Sequence, residues 1–193
     1  MRDDGPKTPL WRAAGDLVGW VQLFRDAPDS HRPDLPAVRA HLLALIDAFP
    51  RDPIAREHPP EEVGEAAFAL VAWTDEMLNT SSWAAREECK KEPLQLQLYR
   101  TVRAGNEFFA HLRALRPNQN SAREVYFLCL ALGFQGETDS PAERQRIVTE
   151  QYEHLRECEL EAALAESKAD LDAGRFVKES VEQHIKRLAK LAA

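Results

Sequence analysis

EAAFALVAWTDEMLNTSSWAAR, residues 65–86, has helical character along most of its length and holds only two charges in its interior, the adjacent Asp75 and Glu76. Nine uncharged residues precede the pair and nine follow it, in a chain whose charged fraction is 30%. Such isolation places the two acids in or beside a core, where a carboxylate without a donor is costly. Working back from the pair, Val63, Ala67, Leu70, Val71, Thr74, Met77 and Leu78 share one helical face, while Phe68, Ala69, Ala72 and Trp73 cover much of the remainder. A helix apolar nearly all round sits at the centre of its bundle. It begins at Pro60, with Glu61 and Glu62 suited to the helix N-terminus.

Outward from this helix the apolar residues keep the helical period almost everywhere, and no sustained period-two alternation occurs, so the fold class is all-α. A first helix fits residues 10–25 and is followed by the connector APDSHRPDLP. Asp34 caps a second helix that aligns Val38, Leu42, Leu45, Ile46 and Phe49. After the central helix, shorter helices are expected around Trp83, over 93–102, and from about Asn106 with Phe108, Phe109, Leu112 and Leu115. Of the adjacent Phe108 and Phe109, one should face the core and the other a second layer or groove. Ser121 is placed to cap a helix through Val125, Leu128, Cys129 and Leu132, which Gly133 closes in a left-handed conformation. SPAE at 140–143 starts a long polar helix reaching about Ala173, and a last amphipathic helix carries Val181, Ile185, Leu188 and Leu191. Residues 1–139 therefore read as the main helical domain, and 140–193 as a more charged helical extension packed only partly on it.

Composition narrows the function. The chain has 193 residues and a formal charge of −7, which argues against nucleic acid as the main ligand. Three widely spaced cysteines, Cys89, Cys129 and Cys158, suggest neither a disulfide framework nor a zinc site and point to a reducing compartment. His31, His41, His58, His111, His154 and His184 form no metal-ligand pair and read as surface or helix-flank residues. There is no phosphate loop, dinucleotide fingerprint or nucleophile elbow, and no run approaches the roughly 18 apolar residues of a membrane span. No catalytic residue, cofactor or metal is expected. Asp75 and Glu76, being consecutive, diverge by about 100° on a helix and cannot face one another as an acid/base dyad. Asp75 can be a structural acid, paired with an Arg or bonded to a neighbouring helix terminus, and at least one of the two can line a cleft that binds a partner. The Trp83 ring is expected to pack in the core.

Three segments, in order, resemble the DotU family, called TssL in type VI secretion systems: AFALVAWTDEMLNTSSW at 67–83, PLQLQLYRTVRAGNEFFAHL at 93–112 and EVYFLCLALGFQG at 124–136. The resemblance covers roughly residues 10–136. It implies a non-enzymatic cytoplasmic domain of two small helical bundles forming a hook with a cleft, at the inner membrane. It also implies partners: a TssM (IcmF)-like inner-membrane protein and a TssK-like baseplate protein, with a second copy in a homodimer as a further contact. The family's acidic pair maps onto Asp75 and Glu76, its tryptophan onto Trp83, its FF pair onto Phe108 and Phe109, and its GF-G loop onto Gly133, Phe134 and Gly136. The chain departs from the family in having Glu137 and Thr138 where Arg-Tyr is usual, Asn106 where Gly or Ala is common, and no membrane helix after the domain. A soluble adaptor or regulator acting outside a membrane-anchored complex is the alternative function. The expected partner interface comprises Asp75, Glu76, Asn79, Trp83, Phe134, Gln135 and Glu137, with Glu76 the available contact residue and Asp75 the structural acid.

Overall fold

The computed structural model describes residues 8–137 and 140–173. All regular structure among them is helical. A 3-10 turn, Leu10–Ala14, runs into α1 (Gly15–Asp26), so the first helix has a tighter opening turn than its periodicity implied. The proline-rich connector is held by Arg32, whose guanidinium donates to the carbonyls of Phe24 at 3.0 Å and Arg25 at 2.8 Å and lies over the Phe24 ring. A cation on the last carbonyls of α1 satisfies acceptors that the helix leaves open. In α2 (Leu35–Ala48), Asp34 caps as expected, accepting the Ala37 N–H at 2.9 Å.

α3 (Pro60–Thr80) is the hub. It packs against α1, α4 (Arg86–Cys89), α5 (Leu94–Tyr99), α6 (Ala104–Ala114) and α7 (Asn120–Ala131), and Val71, Trp73, Leu70 and Leu78 are fully or nearly fully buried along it. Two aromatic groups consolidate the core around it. Trp20 stacks on Phe24, which meets Trp83 edge-on at 5.1 Å, while Phe108 contacts Phe109, Tyr126 and Phe134. Both phenylalanines of the FF pair are buried, Phe108 in the core and Phe109 beneath Phe134, which returns from the α7 terminus. The helix expected around Trp83 starts later, at Arg86. Ser81 Oγ donates to the Leu78 carbonyl and accepts the Trp83 N–H, which turns the chain inward at the tryptophan.

Ser121 does not cap α7: its hydroxyl lies 2.9 Å from His58 Nδ1, and His58 Nε2 lies 2.9 Å from the Thr8 carbonyl. Because that carbonyl can only accept, Nε2 carries the proton and donates. His58 is thus a buried tie between the start of the described chain and α7, and not a surface histidine.

α8 (Pro141–Asp172) opens with Ser140 Oγ accepting the Glu143 N–H at 3.1 Å, as SPAE implies, although the Glu143 carboxylate pairs with Arg146. The chain divides into two compact units, Met1–Leu155 and Arg156–Ala193. This boundary falls later than 139/140 because the first turns of α8 belong to the first unit. Ile147 is buried there and Arg123 donates to Gln151 at 2.6 Å. In the second unit the described part of α8 exposes Leu160 and Leu164. Gly174 and the expected last helix, with Val181, Ile185, Leu188 and Leu191, lie outside the described residues.

Candidate functional site: a cleft built by two carboxylates

Asp75 is 2% exposed. Its Oδ1 accepts the Leu94 N–H at 2.9 Å and its Oδ2 the Gln95 N–H at 2.8 Å. These are the opening amides of α5, which follow Pro93 and have no local side-chain cap. The acid therefore caps a helix across space, placing negative charge at the positive end of its dipole. Burial pushes the carboxyl up to about 6, against the opposing pull of the two amides and of Arg39. The chain of caps continues, since Gln95 Oε1 accepts the Ala104 N–H that opens α6, at 2.7 Å.

Glu76, one residue on, points about 100° further round α3, as helical geometry requires. Its Oε1 accepts the Gln135 N–H at 2.5 Å and its Oε2 the Gly136 N–H at 2.7 Å. Burial raises its pKa, again against the two amide bonds. The loop it grips is set by the end of α7. Gly133 takes φ +99°, its N–H donates to the Leu130 carbonyl and the Phe134 N–H to the Cys129 carbonyl, the paired bonds of a Schellman termination. Phe134 then turns onto Phe108 with ring centroids 4.1 Å apart. Gly136, at φ +55°, abuts the carbonyl of Gly105 and the Phe109 ring.

The expectation that divided the pair is corrected by this geometry. Both acids are anchors, each with both oxygens on backbone amides, and Glu76 is half-buried with its carboxylate engaged by the loop. Two further acids of α3 also bond across the fold and carried no local signal, Glu62 to a backbone amide and Glu65 to two side chains. Glu62, expected only to favour its own helix start, is buried and accepts the Ala122 N–H at 3.2 Å, at the α7 opening. Glu65 meets His111 Nδ1 at 3.0 Å and accepts the Tyr126 hydroxyl at 3.2 Å. Their donors lie 46 to 61 residues away in sequence, and Gln95 escaped notice for the same reason.

The anchored elements enclose an open cleft of about 320 Å³. Ala72, Asp75, Glu76 and Asn79 of α3 form one wall; Lys90, Lys91, Pro93 and Gln95 another; Val102, Gly105, Phe134, Gly136 and Glu137 close it. Five of the seven expected interface residues thus meet at one place. Of the other two, Gln135 is exposed on the adjoining loop, and Trp83 is buried against Phe24, so its side chain offers no surface contact. Among the described residues no cluster of His, Cys, Asp and Glu is arranged to hold a metal, and no helix is long and apolar enough to cross a membrane.

Removal of the Glu76 carboxylate should free the loop while sparing α3. Glu76→Ala is expected to cost on the order of 1–2 kcal/mol, less than a fully buried anchor because water can reach the freed amides. Chemical denaturation of the variant beside the parent measures this, and an unchanged midpoint would remove Glu76 from the set of anchors.

The family described as type VI secretion system protein DotU matches residues 9–189, well beyond the segment 10–136 that carries the motifs. A solved structure of the cytoplasmic domain of TssL from Acinetobacter baumannii is similar over 77% of this chain and 98% of its own, at 25% identity and a TM-score of 0.68. The crystal structure of SciP/TssL from enteroaggregative Escherichia coli 042 is similar in fold, over 72% of this chain and 83% of its own, at 18% identity and a TM-score of 0.56. No curated protein matches the chain.

Proposed function

We propose that this chain, which belongs to the family of type VI secretion system protein DotU, is a non-enzymatic scaffold of the secretion membrane complex that holds partner proteins in the cleft beside α3. The observation that carries this reading is the use of the acidic pair. The four oxygens of Asp75 and Glu76 all accept backbone amides, which suits them to fixing the shape of a surface. A cleft with buried anchors beneath and polar residues at its mouth has the anatomy of a protein-binding site.

The partners on this reading are a TssM (IcmF)-like inner-membrane protein and a TssK-like baseplate protein, met on the cytoplasmic face of the membrane, with homodimerisation a further contact.

Asn79 is half-buried at the cleft wall and makes none of the anchoring bonds. Asn79→Trp should fill the mouth, keep the melting temperature within about 2 °C of the parent, and reduce capture of the TssK-like or TssM-like partner at least fivefold. Full capture of both partners by the folded variant would refute the cleft as their site.

A further inference from the structure

The lining of the cleft is acidic in sequence, but its available charge is cationic. Asp75 and Glu76 are each engaged by two amides, and of the lining acids only Glu137 is exposed. Against this, residues 90–103 carry Lys90, Lys91, Arg100 and Arg103 and a single acid, Glu92, which pairs with Arg39 at 3.4 Å. In a chain of net charge −7 this is a local reversal of sign. Lys90 and Lys91 make short-range pairs with Glu87 and Glu88 on the exposed surface, and such pairs hold a lysine only weakly. Arg100 and Arg103 are exposed and have no side-chain ion pair or hydrogen bond among the described residues.

The same segment holds four of the exposed large apolar side chains of the first unit. Leu96, Leu98, Tyr99 and Val102 are all 37% exposed or more, Val102 reaching 66% at the cleft edge. Between them Arg100 ends α5 at φ +59°, the one non-glycine residue with positive φ among those described. Glycine would take that conformation without cost, whereas any side chain there is strained by about 1–2 kcal/mol. A side chain held in that strained conformation, exposed and without a partner among the described residues, fits a position where function offsets the strain.

We propose that residues 96–103, with the adjoining lysine rim of the cleft, are the docking surface for an acidic segment of a partner protein that carries apolar side chains at its centre. The apolar centre would cover Val102 at the cleft edge and Leu98, which lies one turn on from the cleft-lining Gln95, while its acids meet Arg100, Arg103, Lys90 and Lys91. This rests on the reading of the chain as a partner-binding scaffold and adds the chemistry of the bound segment. A lipid surface fits less well, since four basic residues stand at the low end of the roughly four to eight that draw a protein to anionic headgroups, and the chain as a whole is acidic.

The test uses a fluorescein-labelled amphipathic helical peptide with leucines along one face and glutamates flanking them, its counterpart with lysine for each glutamate, and phosphatidylglycerol vesicles. The full chain should bind the glutamate peptide saturably, with an affinity that falls as salt rises, and should bind neither of the other probes comparably. The double variant Arg100→Gly, Arg103→Gln should bind that peptide about tenfold more weakly and with a flatter salt dependence. Arg100→Gly alone should melt at or above the parent temperature, so loss of binding cannot be laid to misfolding. Preference for the lysine peptide, binding to vesicles in place of the peptide, absence of peptide binding, or an affinity unmoved in the double variant would each overturn the proposal. If Asn79→Trp abolishes partner capture while the arginine variants leave it intact, the cleft stands and the acidic chemistry falls.

Discussion

Gly136→Ala should melt on the order of 10 °C below the parent, the largest single effect expected in this domain. A Cβ at Gly136 would lie 2.7 Å from the Phe109 ring, 2.8 Å from the Gly105 carbonyl and 2.9 Å from the Phe134 ring. The rings are held by Phe108 and the carbonyl belongs to the first turn of α6, so neither neighbour can withdraw without disturbing the core. Overpacking of this kind typically costs about 1–3 kcal/mol, and the positive φ adds about 1–2 kcal/mol. Gly133→Ala is the internal comparison. Its φ is also positive, but an added Cβ there meets nothing within 4 Å, so only the conformational cost of about 1–2 kcal/mol applies. Differential scanning calorimetry of the two variants should show Gly136→Ala the worse by several degrees; equal losses would mean that the contact with Gly105 and Phe109 is unimportant.

Asp75→Ala is the second large effect. It leaves two amides at the start of α5 without an acceptor, beside a cleft wall and a buried Leu94, at an expected cost of about 2–3 kcal/mol at pH 7. Its pH dependence has a definite sign. The folded chain holds the Asp75 proton up to about 6, whereas the unfolded chain releases it near 3.8. The folded state therefore binds more protons between these values. The stability Asp75 confers is full below about 3.8 and declines as pH rises through 6. The stability gap between parent and Asp75→Ala should accordingly widen from pH 7 to pH 4, by on the order of 2–3 kcal/mol. Urea titrations at pH 4, 5, 6 and 7 measure this. A gap that narrows toward acid would mean that the amide bonds outweigh burial and that the carboxylate is held ionised.

The sequence made the frame readable wherever its determinants were local. A helix apolar all round is central to its bundle, Asp34 caps α2 from three residues away, and Gly133 ends α7 because the left-handed position follows the last apolar turn. All three signals lie within a few residues of what they control. The anchoring was not legible, because its donors are backbone amides, which every residue but proline supplies and no composition marks. Asp75 and Glu76 were conspicuous for their isolation, yet nothing in EAAFALVAWTDEMLNTSSWAAR reveals that Gln95 and Gly136 return to them. Glu62 and Glu65 were less visible still, since they stand in the ordinary acidic start of a helix. Trp83 was doubly ambiguous, apolar enough for the core and close enough to the pair to suggest the cleft. Its burial against Phe24 depends on α1, nearly sixty residues earlier.

Asp75 and Glu76 act as separate backbone anchors, and hydrogen exchange of individual amides by NMR tests this most directly. In Glu76→Ala, the Gln135 and Gly136 amides should lose protection by at least tenfold while Leu94 and Gln95 keep theirs. In Asp75→Ala the pattern should reverse. Unchanged protection at all four amides in both variants, particularly if partner capture were nonetheless lost, would contradict the account and return the two acids to the role of surface contacts.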